Sequence, residues 1–372
     1  MKNIGIFTHD LYPFKPWGQG RYVYDLASRL RTIFNGEIYV FSPSDNIKDD
    51  RHIRIFGNSH NTFGKNITFS IKLAFSIERL IKTYNLGTVH FQGGPGGLFL
   101  LAKPSVPLIY TVHHTYYQQS HYIRSQKWKK ILYLWERFGY QKANYLLCNS
   151  ASTMRIILNH YHLNPTRCET IPIGVDENRF YPLELERIPN SMFFLGRLDS
   201  RKGIDFLIKS IPLVKNQLDD IRLYIGGDGV LRHYLEKFIK KNHLENNVYL
   251  LGTVDDSMLN EWYNKVSMVV IPSVFEGFGL TAIEAMACGT SVIATKTDGL
   301  RDVIEDGLNG LLVNYNDVKM LSEKIVYLMK NEPERLKLSK NGKEKVRTVF
   351  NWINISQDIL RTYERLLQNQ RT

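Results

Sequence analysis

Short β-branched or aromatic runs alternate along this chain with longer stretches whose apolar residues recur every three to four positions. In the first half the short runs are Ile4–Thr8, Glu37–Phe41, Thr88–Phe91, Leu108–Thr111 and Tyr145–Asn149. In the second half they are Met192–Leu195, Arg222–Gly226, Val248–Leu251, Met268–Ile271 and Ser291–Thr295. Each predicts a strand. Helical periods lie between them, as over Ile204–Gln217, Leu231–Asn242 and Thr281–Cys288. Such alternation predicts an α/β protein, because parallel strands need a crossover long enough to hold a helix. Gly-rich turns after the strands suit doubly wound, Rossmann-like sheets, which bind ligand at the carboxyl ends of their strands.

The pattern starts twice. Ile171–Pro182 carries prolines and no helical period, so it reads as a linker, and a new strand series opens near Met192. Two similar domains are expected, over residues 1–185 and 186–350, and Trp352–Leu367 reads as a terminal helix within 351–372. The length of 372 residues allows two ordinary cores.

Composition narrows the class. No apolar run reaches the roughly 18 residues that a membrane span needs. The opening Met1–Phe7 is too short and strand-like for a signal peptide. Cys148, Cys168 and Cys288 form no redox-like or metal-like pair, so a reducing cytoplasm is expected. The net charge of +12 is uneven: residues 1–185 hold 22 Lys/Arg against 12 Asp/Glu. A basic first half attracts polyanions, lipid headgroups among them, but no nucleic-acid motif accompanies it.

Four stretches carry candidate chemistry. In Ser273–Gly289 a strand ends in a loop with Glu276, Gly277 and Gly279, and a helix starts near Leu280 with Glu284 in its first turns. A helix start offers free N–H groups and a positive dipole end to a diphosphate, and glycines admit a ligand to the backbone. In Leu195–Gly203, Arg197 and Lys202 share one strand-to-helix connection, and both suit phosphate oxygens. Pro16–Arg21 is a Gly-rich connection with Gly18 and Gly20, which an ordinary tight turn also explains. Thr111–Thr115 ends a strand with His113, which could meet a substrate or be a satisfied structural residue. Asp-x-Asp metal motifs are missing from suitable places, so no metal cofactor is expected.

In this order and spacing the pieces resemble the family-4 retaining glycosyltransferases of GT-B architecture, in which two Rossmann-like domains face a central cleft. Glu276 and Glu284 match the Glu-x7-Glu element, and Gly196, Arg197, Lys202 and Gly203 match Gly-Arg-Leu-x4-Lys-Gly. Pro172, Gly174, Val175, Asp176 and Phe180 match the segment before the second domain, and Asp306–Val313 matches a stretch near the C-terminus. Two departures fall on the acceptor side: His114 stands where Asp is common, and Gln19 separates two glycines that are commonly adjacent.

The resemblance implies an acceptor-side first domain, a donor-binding second domain and a terminal helix that crosses back to the first. Arg197 and Lys202 would hold the donor diphosphate, Glu284 the ribose and Glu276 the sugar, with the N–H groups of Phe278, Gly279 and Leu280 nearby. Gly252 to Val254 would lie beside the base, Gly18 and Gly20 would approach the donor, and His113 would contact the transferred sugar. The implied reaction moves a hexose or N-acetylhexosamine, with retention and without metal, from a nucleoside diphosphate sugar to a glycan or lipid-linked acceptor in envelope polysaccharide or glycoconjugate synthesis. A uridine diphosphate sugar is the expected donor. A nucleotide-sugar epimerase and a non-catalytic sugar-nucleotide-binding relative are the alternatives.

Tyr116–Lys142 adds a further expectation. It holds six Lys/Arg against Glu136 alone, and Trp128, Ile131, Leu132, Trp135 and Phe138 recur at helical spacing. A basic amphipathic helix of this kind suits an anionic membrane surface, hence a peripheral place on the inner face of the cytoplasmic membrane. The same spacing fits a stripe buried in the first domain.

Overall fold

The computed structural model describes residues 2–12, 18–43, 49–55, 62–93 and 102–368. Within them the chain forms two compact α/β units, Met1–Gly174 with Trp352–Thr372, and Val175–Asn351. The division falls ahead of the 185/186 boundary expected because the linker is bonded into the second unit. The Tyr181 and Leu183 N–H groups donate to Asn260 and Asn264 at 3.1 and 2.8 Å, and Arg179 pairs with Asp256.

The first unit opens with β1 (Asn3–Phe7), α1 (Gln19–Ile33), β2 (Ile38–Ser42), β3 (His52–Arg54), α2 (Thr62–Thr83), β4 (Leu86–Gln92) and β5 (Leu108–Val112). It continues through α3 (Tyr116–Tyr122), α4 (Lys130–Lys142), β6 (Tyr145–Cys148), α5 (Ala151–Tyr161) and β7 (Cys168–Thr170). Among the described residues its strands make one sheet in the order β3-β2-β1-β4-β5-β6-β7, with every pair parallel. One face is an aromatic core: Phe7 stacks on Phe41 with ring centroids 4.4 Å apart, and Phe91, Tyr110 and Tyr140 extend it.

The second unit runs β8 (Ser191–Leu195), α6 (Ile204–Lys215), β9 (Arg222–Gly226), α7 (Arg232–Lys241), β10 (Val248–Gly252), α8 (Leu259–Lys265) and β11 (Met268–Ile271). Then come α9 (Leu280–Ala287), β12 (Ser291–Thr295), α10 (Asp298–Val303), β13 (Leu311–Val313), α11 (Val318–Lys330) and α12 (Glu332–Val349). Its sheet order is β10-β9-β8-β11-β12-β13, again parallel throughout. Both sheets therefore wind outward one way and then reverse, at β1/β4 in the first and β8/β11 in the second. Ligands of doubly wound sheets sit beyond the strand ends at that reversal.

The last helix, α13 (Trp352–Gln368), returns to the first unit and packs on α1 and β4. It buries Trp352, Ile355, Ser356, Ile359, Thr362 and Tyr363, a single stripe at helical spacing. Gly174 gives the Trp352 ring its seat, since a Cβ there would lie 2.6 Å from the ring.

Helix α4 has the reverse polarity. Its buried residues are Glu136, Gly139 and Tyr140, while Ile131, Leu134, Trp135 and Phe138 are 72%, 55%, 45% and 58% exposed. Trp128, in the turn before it, is also exposed. Of the apolar stripe seen in the sequence, Trp128, Ile131, Trp135 and Phe138 are thus on the surface and Leu132 is half-buried, because a buried carboxylate and a glycine hold the inner face.

The ten strands and four helices that the sequence delimits lie within about two residues of their expected ends, whereas the sequence sets no ends for α1, α2, α11 and α12. The three-residue strands β3, β7 and β13 were not expected, since a strand of that length gives no periodicity to read. No helix of the described residues is long and apolar enough to cross a membrane.

Candidate functional site

At the reversal of the second sheet, the loop after β8 meets the loop after β11. The Val274 N–H donates to the Arg201 carbonyl at 2.9 Å. Gly203, at φ +67°, lets the backbones touch, because a Cβ there would lie 1.9 Å from the Pro272 carbonyl oxygen. Asp199 shapes the turn by accepting from the Lys202 N–H at 3.0 Å. The result is that Lys202 Nζ sits 2.5 Å from Glu276 Oε1, which also accepts from the Ser273 hydroxyl at 2.8 Å. Burial by itself would raise the Glu276 carboxyl. The Lys202 and Arg201 charges, with the hydrogen bonds from Lys202 and Ser273, outweigh it and hold the group below its usual range. Glu276 is therefore an anion beside two cations.

Helix α9 starts beside this cluster. Gly279 is its N-cap at φ +117°, a conformation that L side chains rarely adopt. Phe278 is buried just before it, and Leu280 opens the helix, so the N–H groups of this turn precede the first full helical bonds. One turn in, Glu284 Oε2 accepts from the Tyr263 hydroxyl at 2.8 Å. Tyr263 is wholly buried in α8, and burial first, then the Glu284 charge, raise its phenol. It stays a neutral donor that fixes one carboxylate oxygen. Gly252 closes β10 and accepts from the Gly227 N–H at 2.6 Å, with Val254 buried next to it.

Arg197 behaves differently from its expected partner. Its side chain is 69% exposed and pairs with Asp199 at 3.4 Å, outside the Lys202–Glu276 contact. Arg201, which sequence reasoning passed over, is the second cation acting on Glu276, and its buried Nε has no hydrogen-bond partner among the described residues.

In the first unit, Gly18 is the N-cap of α1, with open space where a Cβ would stand, and Gly20 is buried in the first turn. Pro16 and Trp17 of that connection lie outside the described residues. His113 follows β5 and is buried; its carbonyl accepts from Asn149 at 3.0 Å, and its Nε2 lies 2.9 Å from Gln92 Oε1. Burial, reinforced by the neighbouring imidazoles of His114, His90 and His9, depresses its pKa well below the usual histidine value, so the ring is neutral. Gln92 and His90 were missed as site residues. Their signal was present in β4, where Thr88, His90 and Gln92 put a polar residue at every second position of a strand buried throughout.

Residues 177–345 match the family model for glycosyl transferases group 1, and residues 17–179 match that for glycosyltransferase family 4. An uncharacterized glycosyltransferase of Methanocaldococcus jannaschii is 29% identical over 93% of each chain. Among solved structures, a sucrose-phosphate synthase of Thermosynechococcus elongatus superposes with a TM-score of 0.87 at 23% identity, over 99% of this chain and 100% of that one. HepE of Anabaena, solved in complex with UDP-glucose, superposes at 0.77 and 17% identity over 98% and 100%. Those two likenesses speak to the fold alone. The two family models together run from residue 17 to residue 345, and the chain belongs to the family-4 glycosyltransferases, built as two parallel-sheet α/β domains of the GT-B type.

Proposed function

We propose that this protein transfers a hexose or N-acetylhexosamine, with retention and without a metal, from a uridine diphosphate sugar to a glycan or lipid-linked acceptor. The carrying observation is the 2.5 Å contact of Lys202 with Glu276 at the reversal of the second sheet, beside the start of α9. The bond to be broken joins the anomeric carbon to a diphosphate oxygen. Negative charge grows on that oxygen as the sugar becomes oxocarbenium-like, and a fixed ammonium and a helix start stabilise that state more than the ground state. Glu276 takes sugar hydroxyls, Glu284 takes the ribose, and His113, as a neutral ring, contacts the sugar. Arg197 swings from Asp199 to the diphosphate. HepE binding UDP-glucose on the same fold supports the uridine donor.

The acceptor belongs to envelope polysaccharide or glycoconjugate synthesis, reached by a peripheral enzyme on the inner membrane face. The outward apolar stripe of α4, beside Lys127, Lys130 and Arg137, supports that placement. Thermal shift against a panel of sugar nucleotides is expected to single out a uridine diphosphate sugar, and NMR of the product to show the donor's anomeric configuration. An inverted product, or donor turnover that needs no acceptor, rejects the proposal.

A further inference from the structure

The polar face of the first sheet holds more than His113. Val89, Phe91, Tyr110 and Val112 point into the aromatic core, so His90, Gln92, Thr111 and His113, one position out of phase, share the other face. All four are buried, and buried polar groups need partners. They find them in one another and in the terminal helix. Gln92 Oε1 faces His113 Nε2 at 2.9 Å, and Gln92 Nε2 faces His90 Nε2 at 3.4 Å. The Thr111 hydroxyl is 2.7 Å from that same His90 Nε2. His90 Nδ1 is 2.6 Å from the hydroxyl of Tyr363, 273 positions away on α13.

Donor counting places the protons. An amide oxygen only accepts, so His113 Nε2 donates to Gln92. The Gln92 amide, its oxygen turned to His113, brings hydrogen to His90 Nε2, which therefore accepts, and the Thr111 hydroxyl, which also reaches Tyr22, can either donate or accept. The His90 proton is then on Nδ1 and is donated to Tyr363. Burial keeps His90 neutral, with its pKa pushed down to about 3. Packing fixes the rings as well: Tyr22 of α1 meets His113 edge-on at 4.8 Å and Trp352 at 5.5 Å.

We propose that Tyr363, His90 and Gln92 are positioning residues that lock His113 as the Nε2–H tautomer, leaving its Nδ1 lone pair to accept a hydrogen bond from a hydroxyl of the transferred sugar. The inference rests on the reading of His113 as a sugar contact. It gives the terminal helix a task in the reaction, because α13 supplies the hydroxyl at the far end of the chain of bonds. Without that acceptor His90 can turn its proton to Nε2, Gln92 then turns its oxygen toward His90, and the Gln92 amide hydrogens face His113.

The test is a long-range proton–nitrogen NMR spectrum of the full-length protein labelled in histidine, with His113 assigned through His113→Gln. A neutral ring protonated at Nε2 is expected, and a ring protonated at Nδ1 overturns the inference. In Tyr363→Phe and Gln92→Met, His113 is expected to populate both tautomers, and kcat to fall about three- to tenfold at unchanged donor KM. Unchanged His113 signals with unchanged kcat in folded variants overturn it. Should those variants fail to fold, the wild-type spectrum decides alone. Wild-type turnover by His113→Gln would remove the sugar contact and the inference together, whereas a wrong tautomer removes the inference and leaves the transferase reading intact.

Discussion

The first domain buries Glu136 and the second half-buries Glu276, and their neighbours treat the two in opposite ways. Glu276, in the second domain, lies against Lys202 and Arg201 and is held ionised. Glu136, in the first, is ringed by tyrosines: it accepts from the Tyr116 N–H at 2.9 Å, from the Tyr140 hydroxyl at 3.2 Å, and from Tyr161. Burial raises its pKa to about 7 against these hydrogen bonds and the weaker pull of Lys129. In the function proposed above, the ionised, cation-paired carboxylate exchanges its lysine for a ligand. A carboxyl near neutrality inside a ring of phenols is built to hold α3 and α4 in place. Burial alone thus does not settle the charge of a carboxyl. The charge of its partners does.

The largest test removes the cation. Lys202→Met takes away the main counter-charge of Glu276 and, in the mechanism proposed, the fixed charge offered to the diphosphate. By analogy with losing one preorganised donor, kcat/KM is expected to fall about 10²–10³-fold, or roughly 3–4 kcal/mol. Steady-state kinetics with the preferred donor measure it. Glu136→Gln in the same assay should stay within about threefold of wild type at neutral pH, since nothing ties that carboxyl to the donor. Equal losses in the two variants would break the comparison.

The second test reads stability. Glu136 has its folded pKa raised from 4.5 to about 7, so between those values the folded chain holds more protons than the unfolded chain. Stability from this group is therefore complete below 4.5, declines as pH rises to about 7, and levels off above. The span corresponds to about 3 kcal/mol at most. Glu276 has the opposite sign: its depressed pKa gives stability that is present above the ordinary carboxylate value and lost as pH falls through the folded one. Melting curves from pH 5 to 8 should show wild type losing ground to Glu136→Gln as pH rises, because the glutamine variant lacks the slope. Parallel curves would mean that Glu136 is ionised throughout.

The two glutamates were unequally legible in the sequence. Glu276 stood in a spaced pattern with Glu284 and two glycines, between a strand and a helix whose ends came out nearly right, so its place could be anticipated, but its pairing with Lys202 was not. The pattern did not separate Arg197 from Lys202. Which cation reaches Glu276 depends on Gly203 packing against Pro272, a tertiary contact. Glu136 looked like one acid in a basic helix. Its burial follows from Tyr110, Tyr140 and Tyr161 converging from three elements, which no local spacing shows. Tyr363 was hidden for the same reason, since it meets His90 only where α13 returns, whereas His90 itself showed as a polar position in a buried strand.

The smallest stability effect sharpens the contrast most, because it concerns the other face of the helix that carries Glu136. If α4 packs through Glu136, Gly139 and Tyr140, then Ile131→Ser, at a site 72% exposed, should change folding stability by less than about 0.5 kcal/mol. An apolar side chain kept on such a surface without a folding role needs another reason. The charges near it are basic, with Lys127, Lys130 and Arg137 close in the chain and the helix's one acid turned inward. That composition favours insertion among anionic headgroups, where one buried isoleucine side chain is worth about 1.5–3 kcal/mol. Flotation of the full chain with phosphatidylglycerol vesicles should therefore weaken about tenfold or more in Ile131→Ser, while phosphatidylcholine vesicles recover neither protein. A clear loss of melting temperature in that variant, with lipid recovery unchanged, would instead make the stripe part of the fold, and Glu136 would no longer be what holds the helix.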